Sequence, residues 1–316
     1  AATPVSIGVV TSGGAGAGLT LNTSGLVAPG AITLTGNLAL TLGTLPMGLN
    51  ALNVAGNVTR GTGLITSTGT VTLNGGAVQA ADFTSSTLTN LTIAPTAAIT
   101  VTVTPPATTI GTVSLTSTGF AYTGTFATTA LAATTLSVAA GTFNVALNAG
   151  GTVTTAVTFS NTGTLTIGAG FTFMGGAVAI APSSKSVAGT IDATASALNF
   201  GTTGVTLTGA TTFNGTSGAV TLGAVTGSFN LIIAGSGTDV IASASIGTGA
   251  LDLTGMTGGT VTVSGNLTAA ALTTAAAVYN IALNGGGTVT GAVTFSNTGT
   301  LTIGAGFTFT GGAVAI

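Results

Sequence analysis

The 316-residue chain has no cysteine, no histidine and no tryptophan, and its four acidic residues are all aspartates, so glutamate is absent too. Without cysteine there is no disulfide, no thiolate metal site and no cysteine nucleophile. Without histidine a Ser/His/Asp triad cannot be assembled. Charge is nearly missing: charged residues are 2% of the chain, against about 25% in ordinary soluble proteins. They are Arg60, Asp82, Lys185, Asp192, Asp239 and Asp252. A net charge of −2 with two basic residues offers nothing to nucleic acid or to an anionic membrane. It also gives little colloidal protection against self-association. The mean hydropathy is +0.78. Even so, no apolar run reaches the roughly 18 residues a membrane-spanning helix needs, so no membrane span is expected.

What remains for chemistry is sparse. Four Asp, one Lys and two Tyr are the titratable groups of use to general acid–base catalysis. Their spacings fit no common period, so the aspartates read as isolated, solvent-facing residues at corners. No catalytic residue, metal or cofactor is expected, and the chain reads as not an enzyme. Gly13–Gly18 (GGAGAG) lacks the Lys-Ser/Thr of a phosphate loop and reads as a corner. With so few titrating groups, stability should vary little between about pH 5 and 9.

The residues that are present form a pattern. Gly151–Ile180 reads GTVTTAVTFSNTGTLTIGAGFTFMGGAVAI. Short alternating runs are divided by Gly, Asn and Ser, and period-two alternation is the strand signal. Val and Thr suit a pleated sheet, while Gly and Asn tolerate the positive φ of tight corners. The Ala-rich stretch 127–140 is the weakest strand, because Ala favours helix. Val157 and Phe159 return 21 positions later as Val178 and Ile180, so three strand-plus-corner units of about seven residues close a coil of about 20. The expected fold is all-β: a single β-solenoid of about 15–16 coils stacked at about 4.8 Å.

A longer repeat lies over this one. Asn144–Ile180 and Asn280–Ile316 agree at 33 of 37 positions, differing at Val145/Ile281, Ala149/Gly285, Thr155/Gly291 and Met174/Thr310. Upstream the likeness is looser, as in NLTIA (Asn90–Ala94) against NLIIA (Asn230–Ala234). The chain therefore divides into a partial repeat, 1–44, and two superrepeats, 45–180 and 181–316, of about seven coils each. Phe159, Leu165, Ile167, Phe171 and Phe173, with Phe295, Leu301, Ile303, Phe307 and Phe309, should stack in the core.

NTGTLTIGAGFTF (Asn161–Phe173 and Asn297–Phe309) and the segment Ala210–Ile241 resemble repeats of large bacterial surface exoproteins. These are the filamentous-haemagglutinin-like adhesins and the autotransporter passengers. The resemblance implies a right-handed parallel β-helix, export, and a prokaryotic cell-surface or extracellular role. No basic, apolar leader pattern opens the chain, and AATPVS is compatible with a mature N-terminus.

The leading functional expectation is a structural subunit of an extracellular filament, sheath or surface fibre. Its partner is itself, head to tail, through uncapped solenoid ends. Ala1, Thr3, Val5 and Ile7 at one end, and Ala313, Val314, Ala315 and Ile316 at the other, are the expected subunit contacts. The alternative is the stalk of a larger secreted adhesin, with glycan or cell-surface attachment. Sequons at Asn22, Asn57, Asn90, Asn214 and Asn266 would permit glycosylation. A minor alternative is ice binding by a threonine array, given TxT pairs at Thr70/Thr72, Thr152/Thr154, Thr164/Thr166 and Thr300/Thr302. That reading needs one pair per coil on one face.

Overall fold

The computed structural model describes the backbone of Val5–Ser6, Val10–Thr11, 18–22, Leu26–Val27 and 29–316, with side chains for 18–22 and 29–316. Among the described residues every element is a strand and none is a helix. Strands pair in parallel with the strand one turn on, 19 to 23 residues later. This is a parallel β-solenoid of roughly 20 residues per turn and about 15 turns. The Ala-rich stretch holds a strand, Leu131–Gly141, whose apolar residues turn inward at Leu131, Ala133, Leu136 and Val138. Stacking on its neighbours overrides the helical preference of alanine.

The structure consists of two compact units. The first comprises 1–154 with 160–163, the second 155–159 with 164–316. In the first unit one inward column runs Ile32, Leu52, Val71, Leu91, Val113, Leu136. Another runs Leu38, Val58, Ala81, Val103, Phe126, Leu147. All twelve are buried. Each Val, Leu, Ile or Phe among them contributes about 1.5–3 kcal/mol when fully covered, which no single turn can achieve alone.

In the second unit the inward column from Leu165 passes through Lys185, Val205, Val225, Ala244, Leu267 and Gly287 to Phe307. The outward residues beside it form an unbroken hydroxyl file: Thr166, Ser186, Thr206, Thr226, Ser245, Thr268, Thr288 and Thr308. A second outward file runs Thr158, Val178, Asn199, Thr221, Val240, Thr262, Ala282, Thr302.

These files show how the long repeat is laid down. Thr166 and Thr302 are the same residue of the two copies, 136 positions apart. Yet Thr302 closes the file that starts at Thr158, seven turns and 144 positions earlier. Likewise Thr308, the counterpart of Thr172, closes the file of Thr166. The 136-residue repeat is therefore one face short of seven turns, and the second copy sits one face back round the solenoid. The looser upstream likeness also has a physical cause. Leu91, Val113 and Leu136 stack in successive turns, as do Leu231, Leu251 and Leu272. The separation between the two series shrinks from 140 to 138 to 136. Corners absorb the two residues lost at each step while the core columns keep their register.

The repeated Asn-Thr-Gly corner is held the same way in both copies. Asn161 Nδ2 donates to the Phe143 carbonyl and Asn297 Nδ2 to the Tyr279 carbonyl, each at 3.1 Å. A Cβ on Gly163 or Gly299 would lie 2.3 Å from those same carbonyl oxygens, so only glycine fits.

Candidate assembly surface at the last turn

Copy one shows what a covered turn looks like. Leu165, Ile167, Phe171, Phe173, Ala177 and Ala179 are all buried. Lys185, Val187, Ile191 and Leu198 of the next turn lie in register over Leu165, Ile167, Phe171 and Ala177. Ala177 N–H donates to the Ala197 carbonyl and Ala179 N–H to that of Asn199.

In copy two the same sequence forms the last turn. Leu301–Ile303 pairs with Ile281–Leu283, Phe307–Phe309 with Gly287–Val289, and Ala313–Ala315 with Val293–Phe295. Its ring geometry repeats that of copy one. Phe295 meets Phe309 edge-on at 5.9 Å and 90°, as Phe159 meets Phe173 at 5.8 Å and 89°. Phe307 stacks on Phe309 as Phe171 does on Phe173. The turn is folded as if covered, but its outer side is open. Ile303 is 42% exposed where Ile167 is 0%. Leu301, Phe307 and Phe309 are half-buried, and Ala313 to Ile316 are exposed. A hollow of about 430 Å³ opens there, lined by Phe295, Leu301, Ala315 and Ile316 among others.

Of the contact residues expected from the sequence, Ala313, Val314 and Ala315 form the last strand, with Ile316 N–H donating to the Phe295 carbonyl. Val5 belongs to the short strand Val5–Ser6, which pairs with Leu26–Val27. Ala1, Thr3 and Ile7 lie outside the described residues. The phase of AVAI needs correction. Val157 pairs with Ala177, 20 positions on, so Ala177 and Ala179 face the core while Val178 and Ile180 face out. A one-residue slip in register inverts the faces. The same phase holds in the last turn, so Ala313 and Ala315, and not Val314 and Ile316, stand where a following turn would cover them. Ile303, Phe307 and Phe309 alternate with Thr302 and Thr308, which marks them as core-facing in the sequence.

Two charged residues are buried, and for Asp239 this departs from the expectation of solvent-facing aspartates. Lys185, the only lysine, is fully buried in the column between Leu165 and Val205. Its Nζ donates to the Pro182 carbonyl and to Thr203 Oγ1, and Thr203 donates in turn to Pro182. Burial holds its pKa below the usual lysine range. Asp239 is buried beside Val220, whose N–H donates to Oδ1 at 2.8 Å, while Oδ2 is buried without a partner. Burial raises its pKa to about 6, the Val220 N–H pulling the other way. Both positions were readable, because Lys185 is two residues from Val187 and Asp239 two from Ile241, on the inward phase. Asp252 behaves differently. Burial pushes its carboxyl up, but hydrogen bonds from Thr254 and Thr273 outweigh this and leave it lowered.

Burial of Asp239 argues against a flat pH profile. A carboxyl raised in the fold favours folding most where both states are protonated, below about pH 4. That contribution is lost as pH rises through about 6. A shift of about two units corresponds to roughly 2–3 kcal/mol. Unfolding midpoints of the wild type should fall between pH 4 and 7, and Asp239→Asn should remove most of that slope. An unchanged slope in the variant would contradict the assignment.

The other sequence candidates fall on separate faces. Thr70/Thr72, Asn90/Thr92, Thr112/Ser114 and Thr135/Ser137 line up over four successive turns, while Thr152 sits in another column, beside Ala132. Among the sequons, Asn22 and Asn266 are exposed, whereas Asn57, Asn90 and Asn214 are engaged in hydrogen bonds. Arg60, Asp82, Thr102 and Thr104 edge a shallow hollow of about 320 Å³. Among the described residues no three metal-ligating side chains come together, and no helix is long and apolar enough to cross a membrane. Comparison with known proteins finds no matching family model, curated protein or solved structure.

Proposed function

We propose that the chain is a structural subunit of an extracellular filament, sheath or surface fibre, assembling head to tail by stacking of solenoid turns. One observation carries this reading: the turns stack through parallel, in-register ladders, so each turn presents the next with the same row of backbone donors and acceptors and the same apolar face. Stacking a turn of one chain on a turn of another would favour association by up to about 1.5–3 kcal/mol for each Val, Leu, Ile or Phe side chain taken from fully exposed to fully covered. Open strand edges add backbone hydrogen bonds, and contact that does not close on itself propagates as a fibre. The near absence of surface charge leaves little to oppose it. The likeness to bacterial surface exoproteins supports export and a cell-surface setting, and gives the alternative of a stalk within a larger adhesin.

Electron microscopy of the purified chain, fresh and after a day at high concentration, tests this. Fibres that lengthen with time and concentration are expected. Discrete particles of constant length would move the assignment to a stalk. Ice binding is the minor alternative, and the observation in its favour is the uncharged two-file array from Thr70/Thr72 to Thr135/Ser137.

A further inference from the structure

Three asparagines of this chain precede glycine: Asn74, Asn214 and Asn284. An asparagine so placed is open to attack on its own carboxamide, because no Cβ shields the backbone nitrogen that follows. The fold treats the three differently. Asn74 is half-buried, and the Gly75 N–H donates to Gln79 Oε1 at 3.2 Å. Asn214 ends the strand Val205–Asn214, pairs with Asp192 and Ala234, and accepts the Thr216 N–H on Oδ1 at 2.9 Å. Asn284 is exposed, at the corner between the strands Asn280–Leu283 and Gly287–Val289. There the Gly285 N–H meets no acceptor among the described residues.

Copy one supplies the contrast. Asn148, the counterpart of Asn284, is also exposed, at the corner between Asn144–Leu147 and Gly151–Val153. Each of the two donates its own N–H to the preceding turn at 2.9 Å, Asn148 to the Phe126 carbonyl and Asn284 to that of Val263. The copies part at the next residue. Ala149 carries a methyl group and donates its N–H to the Phe126 carbonyl at 3.3 Å, and Gly285 does neither.

We infer that Asn284 is a self-modification site, converting to aspartate and isoaspartate while Asn148 persists. Hydroxide takes the proton of the Gly285 N–H, and the nitrogen attacks Asn284 Cγ. The new C–N bond closes a five-membered succinimide, and Nδ2 leaves as ammonia with a proton from water. Water then opens the ring. Cleavage at the side-chain carbonyl gives aspartate, and cleavage at the main-chain carbonyl gives isoaspartate. One water enters, one ammonia leaves, and nothing is oxidised or reduced. Either product adds one negative charge to a chain whose net charge is −2. Only isoaspartate adds a carbon to the main chain, and this corner has little room for it. A Cβ on Gly285 would already lie 2.3 Å from the Gly265 carbonyl carbon, and the Gly304 N–H is bonded to the Leu283 carbonyl at 2.7 Å.

The test is to age the purified intact chain at neutral and at alkaline pH and read its chymotryptic peptides by mass spectrometry. Electron-transfer fragmentation separates isoaspartate from aspartate. Conversion at Asn284 is expected to run about tenfold or more faster than at Asn148, Asn74 or Asn214, and to rise with hydroxide concentration. In denaturant its lead over Asn74 and Asn214 should vanish, since all three then precede an unencumbered glycine. Asn284→Gln should remove the main product. Asn284→Asp should fold as the wild type does, whereas the isoaspartate fraction should exchange amide hydrogens faster at Gly287–Val289. Equal conversion of Asn284 and Asn148 in the folded chain, a lead by Asn74 or Asn214, or no conversion at Asn284 overturns the inference.

Discussion

Phe213→Ala is expected to lower stability by about 3–5 kcal/mol, the range for emptying a fully buried aromatic site. Phe213 is 0% exposed and stands in the column between Ile191 and Ile233. Its ring meets Phe200 edge-on at 5.2 Å and 77°. The backbone on both sides is pinned by parallel ladders, so the walls cannot collapse into the space. Solenoid stability is close to a sum over neighbouring turns, so the loss should appear first in the turns that share the cavity. Hydrogen exchange should quicken in Ser184–Asp192, Val205–Asn214 and Leu231–Gly235, together with a lower denaturant midpoint. A loss below about 1 kcal/mol would mean that this column is not packed as described.

Much of this was readable from the residues. Alternation in TVT, TLTI and FTF gave strands, and Gly and Asn gave corners. The core positions Phe159, Leu165, Ile167, Phe171 and Phe173 are indeed buried. Other features depend on register, which composition does not carry. AVAI alternates small and large apolar residues, so either pair could face inward. Pairing of Val157 with Ala177 decides for the alanines, beneath Leu198 and its neighbours. The turn length drifts between 19 and 23 residues, so an average of 20 could not reveal that the 136-residue repeat ends one face short of seven turns. The same drift hid the Thr70-to-Ser137 array, whose members are 20, 22 and 23 residues apart. Asp239 departs from the solvent-facing expectation for a simpler reason. Its phase against Ile241 points inward, as that of Lys185 against Val187 does, and charge alone does not set the face. Local hydrogen bonds at Lys185 make that burial tolerable, while at Asp239 the Val220 N–H offsets part of the cost and protonation removes the charge only below about pH 6.

The surface at the last turn leads to the second large effect. Ile303 is the most exposed of the four core-facing residues Leu301, Ile303, Phe307 and Phe309, and none of the described residues forms a turn over it. An aspartate there is tolerated by a chain in water, because its carboxylate stays hydrated. Under a stacked turn the same carboxylate would be buried among Val and Ile side chains, with desolvation costing several kcal/mol. A penalty of that size exceeds what the remaining contacts of one turn supply. Ile303→Asp should therefore fold normally and fail to elongate.

The direct measurement is elongation itself. Pre-formed wild-type seeds are mixed with fresh wild-type or Ile303→Asp chains at equal concentration, and fibre length is followed by light scattering and electron microscopy. Growth with wild-type chains, and arrest after at most one added variant chain per seed end, is the result expected if the open last turn is the assembly surface. Equal growth with both chains would show that subunits join elsewhere and would contradict the account.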